Sequence, residues 1–333
     1  MKVLLYFEGE SLISKSGIGR AMKHQMAALR HADVDFTIDP KDDYDILHIN
    51  TIGFTSPIII NQARRHQKKV IYHAHSTEED FRDSFVLSNQ VAPLFKKHLT
   101  NLYSSADCII TPTTYSKSLL EGYGIDIPIF AISNGVDITK YQHDVEKEKA
   151  FYRYFYLTKQ DKIIVSAGLH IKRKGIIDFI EVARKLPEYT FIWFGHTAKI
   201  ATLKVVREVL ETPPKNVRLP GYVKGPIFEG AFSCANAFFF PSYEETEGIV
   251  VLEALAASQE VIVRDIGVYD PWLISGKNCF KGKTNDDFID IIKGVVEKKH
   301  KTIRKNAFET AELRSLEIVG QQLKSVYEKV LDE

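Results

Sequence analysis

Short, almost wholly apolar runs recur along this chain, each followed by a longer amphipathic stretch. They are KVLLYF (2–7), DILHIN (45–50), KVIYHAH (69–75) and DCIITPT (107–113), then KIIVSAG (162–168), YTFIWFG (189–195), AFFFPS (237–242) and EVIVRDI (260–266). Strands buried on both faces read as such unbroken apolar runs, and the stretches between them supply the crossover helices of parallel sheets. The fold class predicted is α/β.

At 333 residues the chain exceeds one ordinary core and fits two domains of roughly 150 residues each. The first group of runs ends near PIFAISNGVDITKY (128–141), and the charged stretch HDVEKEKA (143–150) precedes the second. The predicted division is therefore 1–157 and 158–315, followed by SLEIVGQQLKSVYEKVLDE, whose apolar spacing predicts a terminal helix over 316–333.

A formal net charge of +1 argues against wholesale nucleic-acid binding. Cys108, Cys234 and Cys279 are far apart in mostly apolar contexts, which suggests neither a disulfide framework nor a zinc site and fits a reducing cytoplasm. MKVLLYFEGE reads as a first strand, not a signal peptide, and no apolar run approaches the roughly 18 to 20 residues needed to cross a bilayer. Any membrane contact is expected to be peripheral.

In an open α/β sheet, ligands sit at the carboxyl ends of strands. Four such places carry polar chemistry. After the first run, GESLISKSGIGRAMKHQ places Ser16, Gly17 and Gly19 before an amphipathic helix, either as a phosphate-binding loop or as a structural turn. The dinucleotide pattern G-x-G-x-x-G fails there at Met22. In SAGLHIKRKGIIDFIEVA, Lys172, Arg173 and Lys174 precede Gly175, three cations that would suit a diphosphate or simply face solvent. In IYHAHSTEEDF, alternation puts His73 and His75 on one face, but no third ligand has a convincing spacing for a metal. Lastly, YEETEGIVVLEALAAS sets Glu253 among apolar neighbours, eight positions after Glu245. A carboxylate there needs a polar partner. Were the whole segment helical, roughly 12 Å would separate the two, too far for an acid/base dyad but suited to one long ligand.

Taken in order, SGIGRA, HAH, SADCIITPTTYSKSLL, SNGVDITKY, KRKG, GYV and the E-x7-E element ending in EALAAS resemble the retaining GT-B glycosyltransferases of family four over essentially the whole chain. That resemblance implies two Rossmann-like domains with parallel sheets facing a central cleft, a terminal helix packing back on the first domain, and a nucleotide-sugar donor. It further implies that Glu253 meets the ribose hydroxyls and that Glu245 holds the transferred sugar. By the same resemblance Ser16 and Gly17 admit the diphosphate or sugar, Lys174 neutralises the departing diphosphate, and His75 reaches the sugar. Amides at Gly248, Ile249 and Val250 would face developing negative charge. One departure is Leu169, where the family usually has arginine; Arg173 or Lys172 would substitute, or the chain would be a non-catalytic binding subunit.

MKVLLYFEGESLISKSGIGRAMKHQ and VIYHAHSTEEDFRDSF most resemble the bacterial glycolipid synthases that add a second hexose to α-glucosyl-diacylglycerol from UDP-glucose or UDP-galactose. Cell-wall or capsule intermediates are alternative acceptors. Arg64, Arg65, Lys68 and Lys69, with Lys96 and Lys97 beside apolar residues, would meet an anionic membrane at the inner face of the cell membrane, or form solvated helix faces. No cofactor and no obligatory metal are expected: DVD (33–35) runs into a strand-like VDFTI, and NDD (285–287) reads as a helix start.

Overall fold

A computed structural model describes residues 1–8, 17–270 and 272–333. They form two compact units. The first comprises Met1–Phe81, Gln90–Val136 and Arg314–Glu333; the second comprises Arg82–Asn89 and Asp137–Leu313.

The first unit holds a parallel sheet of β1 (Lys2–Tyr6), β2 (Asp35–Thr37), β3 (Ile46–Ile49), β4 (Lys69–His73), β5 (Cys108–Thr111) and β6 (Ile129–Ala131), in the order β2-β1-β3-β4-β5-β6. β3 and β5 are buried throughout because helices cover both faces, which is why they read as unbroken apolar runs. Helices α1 (Gly17–His31), α2 (Ser56–Arg65), the short α3 (Glu78–Phe81), α4 (Ser88–Tyr103) and α5 (Thr114–Glu121) connect them. Thr113 caps α5 reciprocally with Ser116.

In the second unit, β7 (Ile163–Ala167), β8 (Thr190–Phe194), β9 (Val217–Gly221), β10 (Ala237–Phe240), β11 (Val261–Arg264) and β12 (Phe280–Gly282) form another parallel sheet, ordered β12-β11-β10-β7-β8-β9. Its helices are α6 (Val145–Phe155), α7 (Ile176–Lys185), α8 (Lys204–Glu211), α9 (Pro226–Cys234), α10 (Ile249–Ala256), α11 (Asn285–Val296) and α12 (Arg304–Glu312). Chain direction across the sheet reverses between β1 and β3 in the first unit, and between β7 and β10 in the second. Those reversals mark where a crevice for ligands opens beyond the strand ends.

The division falls at 136/137, not at 157. The charged stretch 143–150 is the start of α6, where Asp144 accepts from the amides of Glu146 and Lys147. That helix buries Phe151 and Phe155, packs on α9, and pairs Lys147 with Glu229 at 3.1 Å. The packing binds it to the second unit. The chain re-enters the first unit at Arg314, and α13 (Leu316–Asp332) lays Leu316, Val319, Leu323, Val326 and Val330 against α1 in one core.

Candidate functional site

At the reversal point of the second sheet, the loop after β7 meets the loop after β10. Lys172–Lys174 form one helical turn, and Gly175 follows at φ 77°. A Cβ on Gly175 would lie 2.3 Å from the Pro241 carbonyl oxygen, so only glycine lets these loops approach so closely. As a result Lys174 Nζ donates to both oxygens of Glu245, at 2.5 and 2.6 Å, and Ser242 Oγ adds a bond at 2.7 Å. Arg173 Nη1 lies 3.9 Å from the same carboxylate. Burial pushes the Glu245 carboxyl up, but the charges of Lys174 and Arg173 and the bonds from Lys174 and Ser242 outweigh it, leaving it ionised below the usual range.

The other two cations of KRK are engaged as well. Arg173 is buried, donating to the Glu244 carbonyl at 2.6 Å and to Ser84 Oγ at 2.9 Å. Lys172 pairs with Asp83 at 3.1 Å. Leu169 brings no donor.

The segment before Ile249 is not helical, so the helical spacing of Glu245 and Glu253 does not apply. Gly248, at φ 90°, caps α10 with no side-chain acceptor, and the first amides bonded to its carbonyl are those of Val251 and Leu252. The amides of Ile249 and Val250 therefore lie outside the helical ladder at its positive end. Glu253, fully buried in the second turn, accepts from the Tyr141 hydroxyl at 2.5 Å. Within the described residues this is the polar partner its apolar surroundings demanded.

The first unit has its own crevice at its reversal point. A cavity of about 330 Å³ is lined by Glu8, Asn50, Thr51, His73, His75 and Tyr103, among others. Glu8 ties the two loops together, its amide donating to Thr51 Oγ1 at 3.0 Å and its carboxylate accepting from the Thr55 amide at 3.2 Å. His75 Nε2 lies 3.0 Å from Asn50 Oδ1. Its ring stacks on His73 at 4.0 Å, and His73 stacks on His48 at 5.3 Å. Burial depresses all three imidazoles, His48 and His75 to about 3, so they are neutral at physiological pH. Gly17 begins α1, where a Cβ would touch nothing within 4 Å among the described residues; Ser16 lies outside them.

Among the basic residues of the first unit, Arg64 grips Asp107 at 2.7 and 2.8 Å, Lys68 pairs with Asp43 at 3.0 Å, and Lys96 with Glu78 at 3.6 Å. Arg65 and Lys97 are exposed, Lys69 is half-buried in β4, and none of these three has an ion pair among the described residues. Phe54, Ile58 and Leu94 of the same unit are exposed at 93%, 67% and 69%. His98 ties α4, which carries Leu94, to the Ile52 carbonyl at 2.9 Å, next to Phe54. NDD opens α11 under a Thr284–Asp287 capping box, and Asp35 starts β2.

Ser242, Tyr141, Asn50, Glu8 and Tyr269 went unremarked in the sequence. Glu8, Asn50, Ser242 and Tyr269 all follow strand ends, so the strand-end rule applied to every strand would have found them. Tyr141 closes the motif SNGVDITKY.

Residues 17–140 match the family model Glycosyltransferase Family 4, and residues 150–311 match Glycosyl transferases group 1. The processive diacylglycerol alpha-glucosyltransferase of Acholeplasma laidlawii is 45% identical, over 99% of both chains. The alpha-galactosylglucosyldiacylglycerol synthase of Streptococcus pneumoniae is 26% identical over 77% of this chain and 71% of that one. Among solved structures, HepE of Anabaena in complex with UDP and glucose superposes at a TM-score of 0.78, with 16% identity over 99% of this chain and 100% of that one. Sucrose-phosphate synthase of Thermosynechococcus elongatus does so at 0.80, with 16% identity over 100% and 99%.

Proposed function

The chain belongs to the GT-B glycosyltransferase family, and from that premise we propose that it moves a hexose from a UDP-sugar to a membrane glycolipid, α-glucosyl-diacylglycerol, with retained configuration. The observation that carries the reading is the pair of half-buried Lys174 and buried Glu245 at the reversal point of the second sheet, three residues before the uncapped start of α10 at Gly248. An ammonium and free amides suit a diphosphate, and an ionised carboxylate suits sugar hydroxyls.

In this reading the bond from the sugar's anomeric carbon to the diphosphate breaks as the bond to the acceptor oxygen forms on the same face. The acceptor proton passes to the leaving phosphate oxygen, so no protein base is assigned. Lys174 shares its charge between Glu245 and the departing diphosphate, Glu253 meets the ribose, and neutral His75 offers a hydrogen bond to the sugar. Gly17 admits the donor at the first loop.

Similarity to the Acholeplasma enzyme over nearly the full length supports a diacylglycerol-based acceptor and favours glucose as the donor sugar. Because that relative is named processive, diacylglycerol itself is a second acceptor to offer. No helix among the described residues is long and apolar enough to cross a membrane. Docking at the inner face of the cell membrane would then rest on Phe54, Ile58 and Leu94, assisted by Arg64, Arg65, Lys68, Lys69, Lys96 and Lys97.

The test offers the purified protein diacylglycerol and α-glucosyl-diacylglycerol in anionic liposomes, with UDP-glucose and UDP-galactose separately. A dihexosyl lipid is the expected product. UDP binding without any lipid product would overturn the acceptor, and absence of UDP binding would overturn the donor in favour of a non-catalytic subunit.

A further inference from the structure

Tyr269 ends the helical turn Gly267–Tyr269 that follows β11, and it is fully buried. Its hydroxyl has no hydrogen-bond partner among the described residues. A buried hydroxyl in that state destabilises a fold relative to the plain ring, so its retention calls for a ligand.

Where the hydroxyl lies identifies that ligand's chemistry. A Cβ on Gly248, whose φ is 90°, would sit 3.4 Å from Tyr269 Oη, so the hydroxyl faces the glycine at which α10 starts. The amides of Ile249 and Val250 follow that glycine at the positive end of α10. Burial, with Glu245 and Glu244 nearby, drives the phenol far above its ordinary range, so the group donates a proton in a hydrogen bond and does not ionise. Meanwhile the cations of the loop after β7 are already committed: Lys172 to Asp83, Arg173 to the Glu244 carbonyl and Ser84, Lys174 to Glu245. With Lys174 shared between Glu245 and an arriving diphosphate, neutral donors beside it add to what holds the anion.

We propose that Tyr269 Oη donates a hydrogen bond to the diphosphate of the sugar donor, seated together with the amides of Ile249 and Val250. The assignment rests on the donor reading above and extends it to a residue that reads the phosphates alone.

The experiment compares wild type with Tyr269→Phe by calorimetric titration with UDP and with uridine, and by thermal unfolding without ligand. The expected result is a variant at least as stable as wild type, with UDP bound about tenfold more weakly and uridine bound equally. Equal UDP affinity overturns the proposal, as does parallel loss of UDP and uridine binding. A lowered melting temperature with unchanged affinity would likewise overturn it, as the mark of a structural hydroxyl. Wild-type protein that binds no UDP would remove the donor reading itself and this proposal with it.

Discussion

Lys174, half-buried, and Glu245, buried, 71 positions apart in the second unit, form a two-pronged ion pair at 2.5 and 2.6 Å. The family resemblance implies separate tasks for them, one at the diphosphate and one at the sugar. The structure makes each the counter-charge of the other, which alters what a substitution at either should do.

Removing one partner of a buried pair strands the other charge, at a cost of about 3–5 kcal/mol. Glu245→Gln or Lys174→Met alone should therefore lower the urea midpoint as well as transfer, while the double variant recovers much of the stability and none of the activity. Additive stability losses in that cycle would show that the two side chains are not coupled.

Gly17→Ala separates packing from ligand approach. A Cβ there meets nothing among the described residues, and alanine is favoured over glycine in a helix by up to about 1 kcal/mol. The variant should melt no lower than wild type yet transfer at least about tenfold more slowly, because the added methyl meets the donor. Unchanged kcat/KM would leave Gly17 without a part in the site.

The histidine column should make the first unit sensitive to acid. His48, His73 and His75 have folded pKa values below the unfolded 6.5. Between about 6.5 and 3 the unfolded chain binds more protons, so stability is full above 6.5 and is lost as pH falls, by up to about 1.4 kcal/mol per unit and group. Urea midpoints between pH 7.5 and 5 should fall, and fall less steeply in His73→Phe. Equal slopes would show that His73 does not contribute.

Liposome flotation can divide the surface of the first unit into its apolar and basic parts. Serine at Phe54, Ile58 and Leu94 should abolish binding at every salt concentration. Serine at Arg64, Arg65, Lys68 and Lys69 should weaken it only at low salt, since Arg64 and Lys68 already have acidic partners. If the apolar variant floats like wild type, docking through Phe54, Ile58 and Leu94 is wrong.

Local sequence was enough to determine the inner strands β1, β3, β4, β5, β7, β8, β10 and β11 and the class of fold, because strands buried on both faces must be apolar and their connections must be long enough to cross over; the edge strands β2, β6, β9 and β12 are not among the eight apolar runs. It also pointed to the strand-end loops of Lys174, His75 and Glu245, the first and last of which the structure joins in one ion pair. What tertiary structure alone decided was pairing. That Glu253 meets Tyr141, that KRK is neutralised by Asp83 and Glu245, and that His48 extends the stack of His73 and His75 all depend on residues distant in the chain. Strand order likewise arises from packing among elements, and its reversal between β7 and β10 set the loop of Lys174 beside that of Glu245. The same reason accounts for the boundary: the charge of 143–150 reads as a linker, whereas Phe151 and Phe155, buried in the second unit, decide to which core the segment belongs.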